Sequence, residues 1–183
     1  MQNPAIKTWH EQVEPSSPLE QGDYLLRIRG LSPASENDVD PDSGSTPKVN
    51  TTMYNAIVLS QSCDLAHGKL DQLLMCPVVA LKVLGQQNAN YTKVTGKNEL
   101  RDGHVVSYHL LFSPDVGMFG DEHIVANFRS IFTIPFAPLV KFAYCKTTPR
   151  FRLLPPYREH LSQAFARFIM RVGLPSDIPK FLE

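Results

Sequence analysis

Proline recurs along the whole of this sequence and limits which elements the chain can form. The 183 residues include fifteen prolines, and a proline interrupts a helix because it lacks an N–H group and clashes with the preceding turn. We therefore expect few helices and frequent turns. Short apolar runs alternate with polar segments, and no internal repeat is visible. The length predicts a single domain, residues 1–183, with one core.

Strands are predicted from two-residue alternation and from β-branched and aromatic side chains. The predicted strands are residues 22–29, 55–60, 104–112 and 123–134, with a shorter one in FRLL. The run LDQLLMCPVVALKVL is ambiguous between helix and strand, and its valines favour strand. Residues 86–103 are polar and predict a loop, in which a short helix remains an alternative.

The final helix is the clearest element of the sequence. Apolar residues recur at three-and-four spacing, which makes one apolar face: Leu161, Ala164, Phe165, Phe168 and Val172. Pro156 suits the first turn and Gly173 suits the C-terminal cap, so a helix is predicted over 157–172 within the segment 155–173. Strands without alternating helices then favour a mainly β fold, a small antiparallel barrel with one C-terminal amphipathic helix.

Two segments are predicted to lie outside the barrel. Residues 1–18 form an N-terminal arm. Residues 32–49 are rich in Ser, Pro, Asp and Gly, a composition that buries too little apolar surface to offset the entropy of ordering. This acidic loop is therefore predicted to be flexible.

Charge is balanced overall but unevenly placed. Lys+Arg and Asp+Glu both number 18, which argues against binding nucleic acid with the whole surface. Acids dominate residues 11–42 and bases dominate residues 141–171, and we interpret both as solvent-exposed faces. Within the basic segment, Arg158, Arg167 and Arg171 lie close in sequence to aromatic rings. That mixture suits single-stranded RNA or DNA, with a protein partner as the alternative and a homodimer left open.

The expected location is the cytoplasm, with no membrane association. No run approaches the roughly 18 apolar residues of a membrane span, and the first residues lack the apolar core of a signal peptide. Three cysteines without a CxxC pair argue against a disulfide framework.

The stretch LSQSCDL places polar side chains where a buried strand ends. Ser60, Gln61 and Ser62 are candidate ligand-binding residues, although short polar side chains at a turn also satisfy backbone groups. We expect Asp64 to accept N–H groups that the turn exposes.

Cys63 is the candidate nucleophile, with His67 as a base and Asp64 as the third catalytic candidate. The favoured interpretation is structural, with Cys63 packed and partly shielded. A zinc site is the other option, with Cys63 and His67 joined by Cys76, His104, His109 or Cys145. A single loose pair does not suit a structural zinc site, so neither a metal nor a cofactor is predicted.

The segments QGDYLLRI, NAIVLSQS and LLMCPVVAL resemble the opening of MazF/PemK toxins, over about sixty residues. The resemblance implies an SH3-like barrel, and typical members of that family cut single-stranded RNA. Tyr54 and Asn55 stand where that family has its catalytic arginine, and Ala80, Leu81 and Lys82 stand where it has a threonine. The resemblance therefore extends to the fold and not to the catalytic groups.

LSQSCDL and RLLPPYREHLSQAFARFIMRVGLP together resemble an uncharacterised bacterial family that occurs among mobile-element and defence genes. The two resemblances imply a small intracellular bacterial binding or effector module of defence or toxin–antitoxin type. Such a module is expected to be non-catalytic and to bind a protein or single-stranded nucleic acid. The alternative is a rewired MazF-like ribonuclease or a cysteine-dependent enzyme centred on Cys63.

Overall fold

The computed structural model describes residues 8–40, 42, 44, 46–145 and 150–170, except for the side chain of Asn37. Within these residues it has eight strands: β1 (His10–Val13), β2 (Tyr24–Pro33), β3 (Val49–Val58), β4 (Gln72–Ala80), β5 (Tyr108–Phe112), β6 (His123–Asn127), β7 (Phe132–Pro135) and β8 (Arg150–Leu153). The same residues form six α-helices: α1 (Ser62–Ala66), α2 (Leu81–Gln87), α3 (Val94–Arg101), α4 (Val116–Phe119), α5 (Phe136–Tyr144) and α6 (Tyr157–Ile169).

All strand pairs are antiparallel. The larger sheet has the order β2-β3-β4-β6-β5, and β7 pairs with the first half of β4. A second sheet contains β1 and β8. A single bridge between Asp23 and Arg152 connects the start of β2 to β8. These ladders do not close into a barrel within the described residues.

Antiparallel pairing was predicted correctly, whereas the mainly β barrel with one helix is not confirmed. Helices occupy about as many residues as strands, so the expectation of few helices is wrong. The helices are nevertheless short, and none of the six exceeds the 13 residues of α6. Pro135 and Pro156 precede helices, and Pro77 lies within β4.

Most predicted elements are present with shifted ends. The predicted strand 123–134 is two strands, β6 and β7, separated by a single 3-10 turn at Phe128–Ser130. The ambiguous run 70–84 is a strand followed by a helix, β4 and then α2. The acidic loop is shorter than predicted, because β2 extends to Pro33 and β3 begins at Val49. Within the predicted polar loop 86–103, Val94–Arg101 forms α3.

The C-terminal helix packs as its periodicity predicts. Leu161 and Ala164 are buried, and Phe165 and Phe168 pack against the same apolar cluster. That cluster also contains Tyr24 and Ile57 from the larger sheet. Val172, Gly173 and Arg171 lie outside the described residues.

A buried ionic cluster joins the two ends of the described chain. Asp23 is fully buried, and its carboxylate accepts hydrogen bonds from the Nε atoms of Arg150, at 2.9 Å, and Arg152, at 2.5 Å. Arg152 also binds Glu20, with 2.6 Å between Nη1 and Oε1. The prediction of two solvent-exposed charged faces is therefore wrong for these residues, because acids of the first segment neutralise bases of the second.

The cluster also fixes the chain before β2. The Nη groups of Arg150 donate hydrogen bonds to four carbonyl oxygens of this segment: Glu14, Pro15, Ser17 and Pro18. Gly22 adopts φ +88, and a Cβ atom there would lie 3.1 Å from Cβ of Leu153. A side chain at this position would be both strained and crowded. Part of the predicted N-terminal arm is thus tightly held.

We predict that Asp23→Asn strongly destabilises the protein. The substitution preserves size but leaves the buried Arg150 without a counter-charge and leaves Arg152 with Glu20 alone. Breaking a buried ion pair in this way typically costs about 3–5 kcal/mol. Urea unfolding measures the effect. The matched control is Asp102→Asn, which removes the exposed pair with Arg101 and is expected to destabilise the protein far less, because solvent screens that pair. Equal losses in the two variants would contradict the structural role given to Asp23.

Two histidines, His10 and His109, are expected to make the folded protein less stable in acid. Burial lowers the pKa of His10 to about 4, and burial with smaller contributions from His160 and Arg167 lowers the pKa of His109 to about 4. An unfolded histidine titrates near 6.5. Between these values the unfolded chain binds protons that the native chain does not, so stability falls as the pH falls from about 6.5 to about 4.

The double variant His10→Gln/His109→Gln should lose less stability over this range than the natural sequence. The measurement is the melting temperature at the two ends of the range. His104→Gln, at an exposed position, is the control and should retain the full loss. A double variant as acid-sensitive as the natural sequence would refute this explanation.

Candidate functional site

The serines of LSQSCDL bind backbone groups where β3 ends. Ser60 Oγ accepts a hydrogen bond from the backbone N–H of Leu74 (2.8 Å), and Ser62 Oγ accepts one from Gln21 (3.1 Å). The Gln21 side chain in turn donates to the carbonyl of Leu59 (2.8 Å). These contacts join the segment before β2 to the end of β3 and to β4, and both serine oxygens are thereby engaged in structural contacts.

The three predicted catalytic residues lie together on α1 and its C-terminus but do not form a catalytic arrangement. His67 Nδ1 lies 2.6 Å from the carbonyl oxygen of Cys63, so this ring nitrogen binds the backbone of α1. No hydrogen bond within the described residues joins the Cys63 thiol to a base. The expectation of a partly shielded Cys63 is wrong, because its side chain is exposed.

The expected capping by Asp64 is also absent. The N-cap residue of α1 is Gln61, without a side-chain capping bond. Asp64 lies within the first turn of α1, and its side chain makes no hydrogen bond to any described residue. The turn is instead held by Ser60, Ser62 and Gln21, and Gln21 was not among the predicted site residues.

Two neighbouring depressions share Ser62 and Cys63 in their walls, and we call the two together the Cys63 groove. Its polar half, about 400 Å³, is lined by Gln21, Gln61, Ser62, Cys63, Arg158, Glu159, Ser162 and Gln163. Its apolar half, about 720 Å³, is lined by Pro18, Leu19, Glu20, Ser62, Cys63, Leu65, Ala66, Phe136, Val140 and Tyr144. Ser62 and Cys63 belong to both halves.

Helix α6 supplies one wall of the polar half. Arg158 and Ser162, like Glu159 and Gln163, are four residues apart and so lie on one side of the helix. Glu20 holds this wall in place, because its carboxylate reaches both Arg152 and Arg158 (3.5 Å to Nη1 of Arg158). The structure thus brings Gln61, Ser62, Cys63 and Arg158 to one surface.

The side chains predicted to contact nucleic acid do not form one surface, and some of them already bind other residues of the protein. Arg158 pairs with Glu20 and Glu159, while Arg167 is exposed and does not line the groove. Arg171 lies outside the described residues. The ring of Tyr157, next in sequence to Arg158, is stacked on Trp9 with centroids 3.7 Å apart, so one face of this ring is already covered and cannot stack on a base.

The geometry of the described residues also bears on metal binding and on membrane crossing. Within the described residues, no group of three or more His, Cys, Asp or Glu side chains is arranged to hold a metal ion. No described helix combines the length and the apolar character that crossing a membrane requires.

Sequence patterns could have indicated part of the groove. The four-residue spacing of Arg158, Glu159, Ser162 and Gln163 on a predicted helix defines one polar face. Gln21 and Glu20 carry no such signal, because their roles depend on residues about forty and one hundred and thirty positions away.

No known protein family and no characterised protein matches the chain.

We predict that Ser60 contributes more to stability than Asp64. Ser60→Ala leaves the backbone N–H of Leu74 without its acceptor and should cost about 1–2 kcal/mol. Asp64→Ala removes no hydrogen bond and should change stability by less than about 0.5 kcal/mol. Urea unfolding of the two variants gives the comparison. A larger loss for Asp64→Ala would show that this carboxylate caps the turn in solution.

Proposed function

We propose that this protein is a non-enzymatic binding module that docks a peptide segment of a protein partner in the Cys63 groove. The observation that carries the proposal is the composition of this groove. An apolar half and a polar half meet at Ser62 and Cys63, and no base is hydrogen-bonded to the thiol within the described residues. A surface of this kind offers contacts for recognition and lacks a partner for nucleophilic activation.

The two halves suit different parts of one peptide. Phe136, Val140 and Tyr144 in the apolar half can cover an aliphatic or aromatic anchor residue, the group that dominates peptide affinity. Gln61 and Gln163 in the polar half can exchange hydrogen bonds with the peptide backbone. An extended segment of a few residues is the ligand that uses both halves.

Nucleic acid is the less favoured ligand because few arginines remain available. Arg150 and Arg152 are buried on Asp23, and Arg158 is paired with two glutamates. Affinity for a phosphate backbone depends on cations that release counterions. Among the described arginines of the basic segment, Arg167 alone is exposed.

A cysteine-dependent enzyme is the less favoured activity. A catalytic thiol requires a nearby base or cation that stabilises the thiolate. The imidazole of His67 instead binds the carbonyl of Cys63. The cation in the same half of the groove, Arg158, is already paired with Glu20 and Glu159. In this proposal Cys63 is a contact residue at the centre of the groove, so Cys63→Ser should leave peptide affinity within about twofold.

The setting of the module is part of the same proposal. The resemblance of QGDYLLRI and NAIVLSQS to MazF/PemK chains supports an SH3-like origin for β2, β3 and β4. The LSQSCDL resemblance supports a bacterial, cytoplasmic module of defence or toxin–antitoxin type. Both resemblances lie in segments that line the groove or support it.

Selection from a random peptide display library tests the proposal. We expect enrichment of peptides with an apolar anchor, binding with micromolar dissociation constants. Ala66→Arg should weaken them at least about tenfold, because the new side chain fills the apolar half. The matched control is Ala137→Arg, an exposed alanine of α5 outside the groove, which should leave affinity unchanged.

Three results would count against the proposal. The first is failure to enrich any peptide, and the second is peptides that bind Ala66→Arg as well as the natural sequence. The third is binding of single-stranded RNA or DNA that falls steeply with salt and is lost in Arg158→Ala/Arg167→Ala, which would establish nucleic acid as the ligand.

A further inference from the structure

The ends of β2 and β3 project from the sheet as a two-stranded ribbon. Residues 29–33 of β2 pair with residues 49–53 of β3, whereas β3 pairs with β4 only from Ala56 to Val58. Within the described residues, no third strand extends the ribbon. Two-stranded ribbons are marginally stable alone in water, so this one is expected to gain from a further contact.

One face of the ribbon is apolar and exposed. The cross-strand pairs Arg29–Met53, Leu31–Thr51 and Pro33–Val49 lie on this face, and we call these six residues the ribbon face. Leu31 is 67% exposed, Val49 60% and Met53 48%. The opposite face carries the polar Ser32, Asn50 and Thr52. Adjoining exposed apolar side chains of this kind are a candidate contact site.

The ribbon is also charged oppositely at its two ends. Arg27 and Arg29 lie at its base, and neither forms an ion pair within the described residues. The acidic tip, which follows Pro33, contains Glu36, Asp38, Asp40 and Asp42. Asp38 binds Ser35 Oγ and the backbone N–H of Lys48. Asp40 Oδ1 accepts a hydrogen bond from the backbone N–H of Asp42 (2.9 Å). Glu36, Asp40 and Asp42 are all exposed. Base and tip are therefore complementary to each other but separated along one ribbon.

Arg27 is held at the base by the backbone. It lies in a β-bulge, where Leu25 pairs with Ala56 and Ile28 pairs with Tyr54. Its φ angle is +55, and its N–H donates to Asn55 Oδ1 (3.1 Å). A bulge of this kind redirects a side chain away from the regular alternation.

We propose that the ribbon face is the interface of a homodimer, and that its occupant is the ribbon of a second copy packed face to face and antiparallel. A two-fold axis near Leu31 places each acidic tip over the arginine base of the other copy. At about 3.3 Å per residue, Arg27 lies about 13 Å from this axis, level with Ser35 of the other copy at the start of its tip. Leu31, Val49 and Met53 are then covered by their counterparts.

The small area of the ribbon sets the expected affinity. Five residues on each strand bury less surface than a standard interface, so the dissociation constant is expected to be on the order of 10 µM. Sedimentation velocity from about 1 to about 300 µM should show a monomer–dimer equilibrium over this range. High salt should shift it towards monomer, because the base–tip pairs are solvent-exposed.

Two matched variants test the face. Leu31→Asp places a charge on the ribbon face and should weaken dimerisation at least about tenfold. Ser32→Asp places the same charge on the opposite face of the same strand and should leave it unchanged. Both side chains are exposed, so the fold is expected to persist, and circular dichroism checks that it does.

Charge exchange tests the antiparallel arrangement. Arg27→Glu/Arg29→Glu and Glu36→Lys/Asp40→Lys/Asp42→Lys should each remain monomeric alone, since base and tip then repel. Mixed in equal amounts, the two variants should form a heterodimer, because every base again faces a tip of opposite charge.

The proposal is overturned if the natural sequence stays monomeric over the whole concentration range. It is also overturned if Leu31→Asp and Ser32→Asp behave alike, or if the two charge-reversed variants fail to associate. These outcomes are independent of the Cys63 groove, because none of the substituted residues lines it.

Discussion

The buried carboxylate of Asp23 is the interaction on which the rest of the structure depends. It neutralises Arg150 and Arg152, and a buried charge without its partner is far costlier than an exposed one. Asp23 reaches them because Gly22 adopts a positive φ angle beside Leu153. The start of β2 and the whole of β8 are thereby fixed together, although about 130 residues separate them along the chain.

This cluster also determines where the Cys63 groove lies. Glu20 extends the ionic contacts from Arg152 to Arg158, so the first turn of α6 is held against the segment before β2. Gln21, next in sequence, binds Ser62 and the carbonyl of Leu59. The two sides of the polar half are therefore supported by contacts that are independent of any ligand, and a groove of this kind is largely pre-formed for binding.

Residue periodicity in the sequence predicted the strands and helices whose apolar faces follow from local spacing alone. Alternation located β2, the short apolar run 55–60 located the second half of β3, and three-and-four spacing located α6. Helices α2 and α5 were missed because their apolar runs follow strands directly and give no periodicity of their own. The interpretation of Arg150 and Arg152 failed for another reason. Their side chains are on one side of a strand, but only the tertiary fold brings Asp23 between them, and residue composition predicts solvent exposure for such charges.

Strand β2 connects the two surfaces that we infer. The segment before β2 contains Gln21, which lines the groove, and the second half of β2 forms part of the ribbon face. Roughly eight residues of extended strand, about 26 Å, separate Gln21 from Arg29. Association through the ribbon therefore leaves the groove of each copy open. A dimer of this kind would present two grooves to one partner, and the second binding event would become intramolecular. Weak binding at each groove would then be compatible with tight binding of a partner that carries two copies of the peptide.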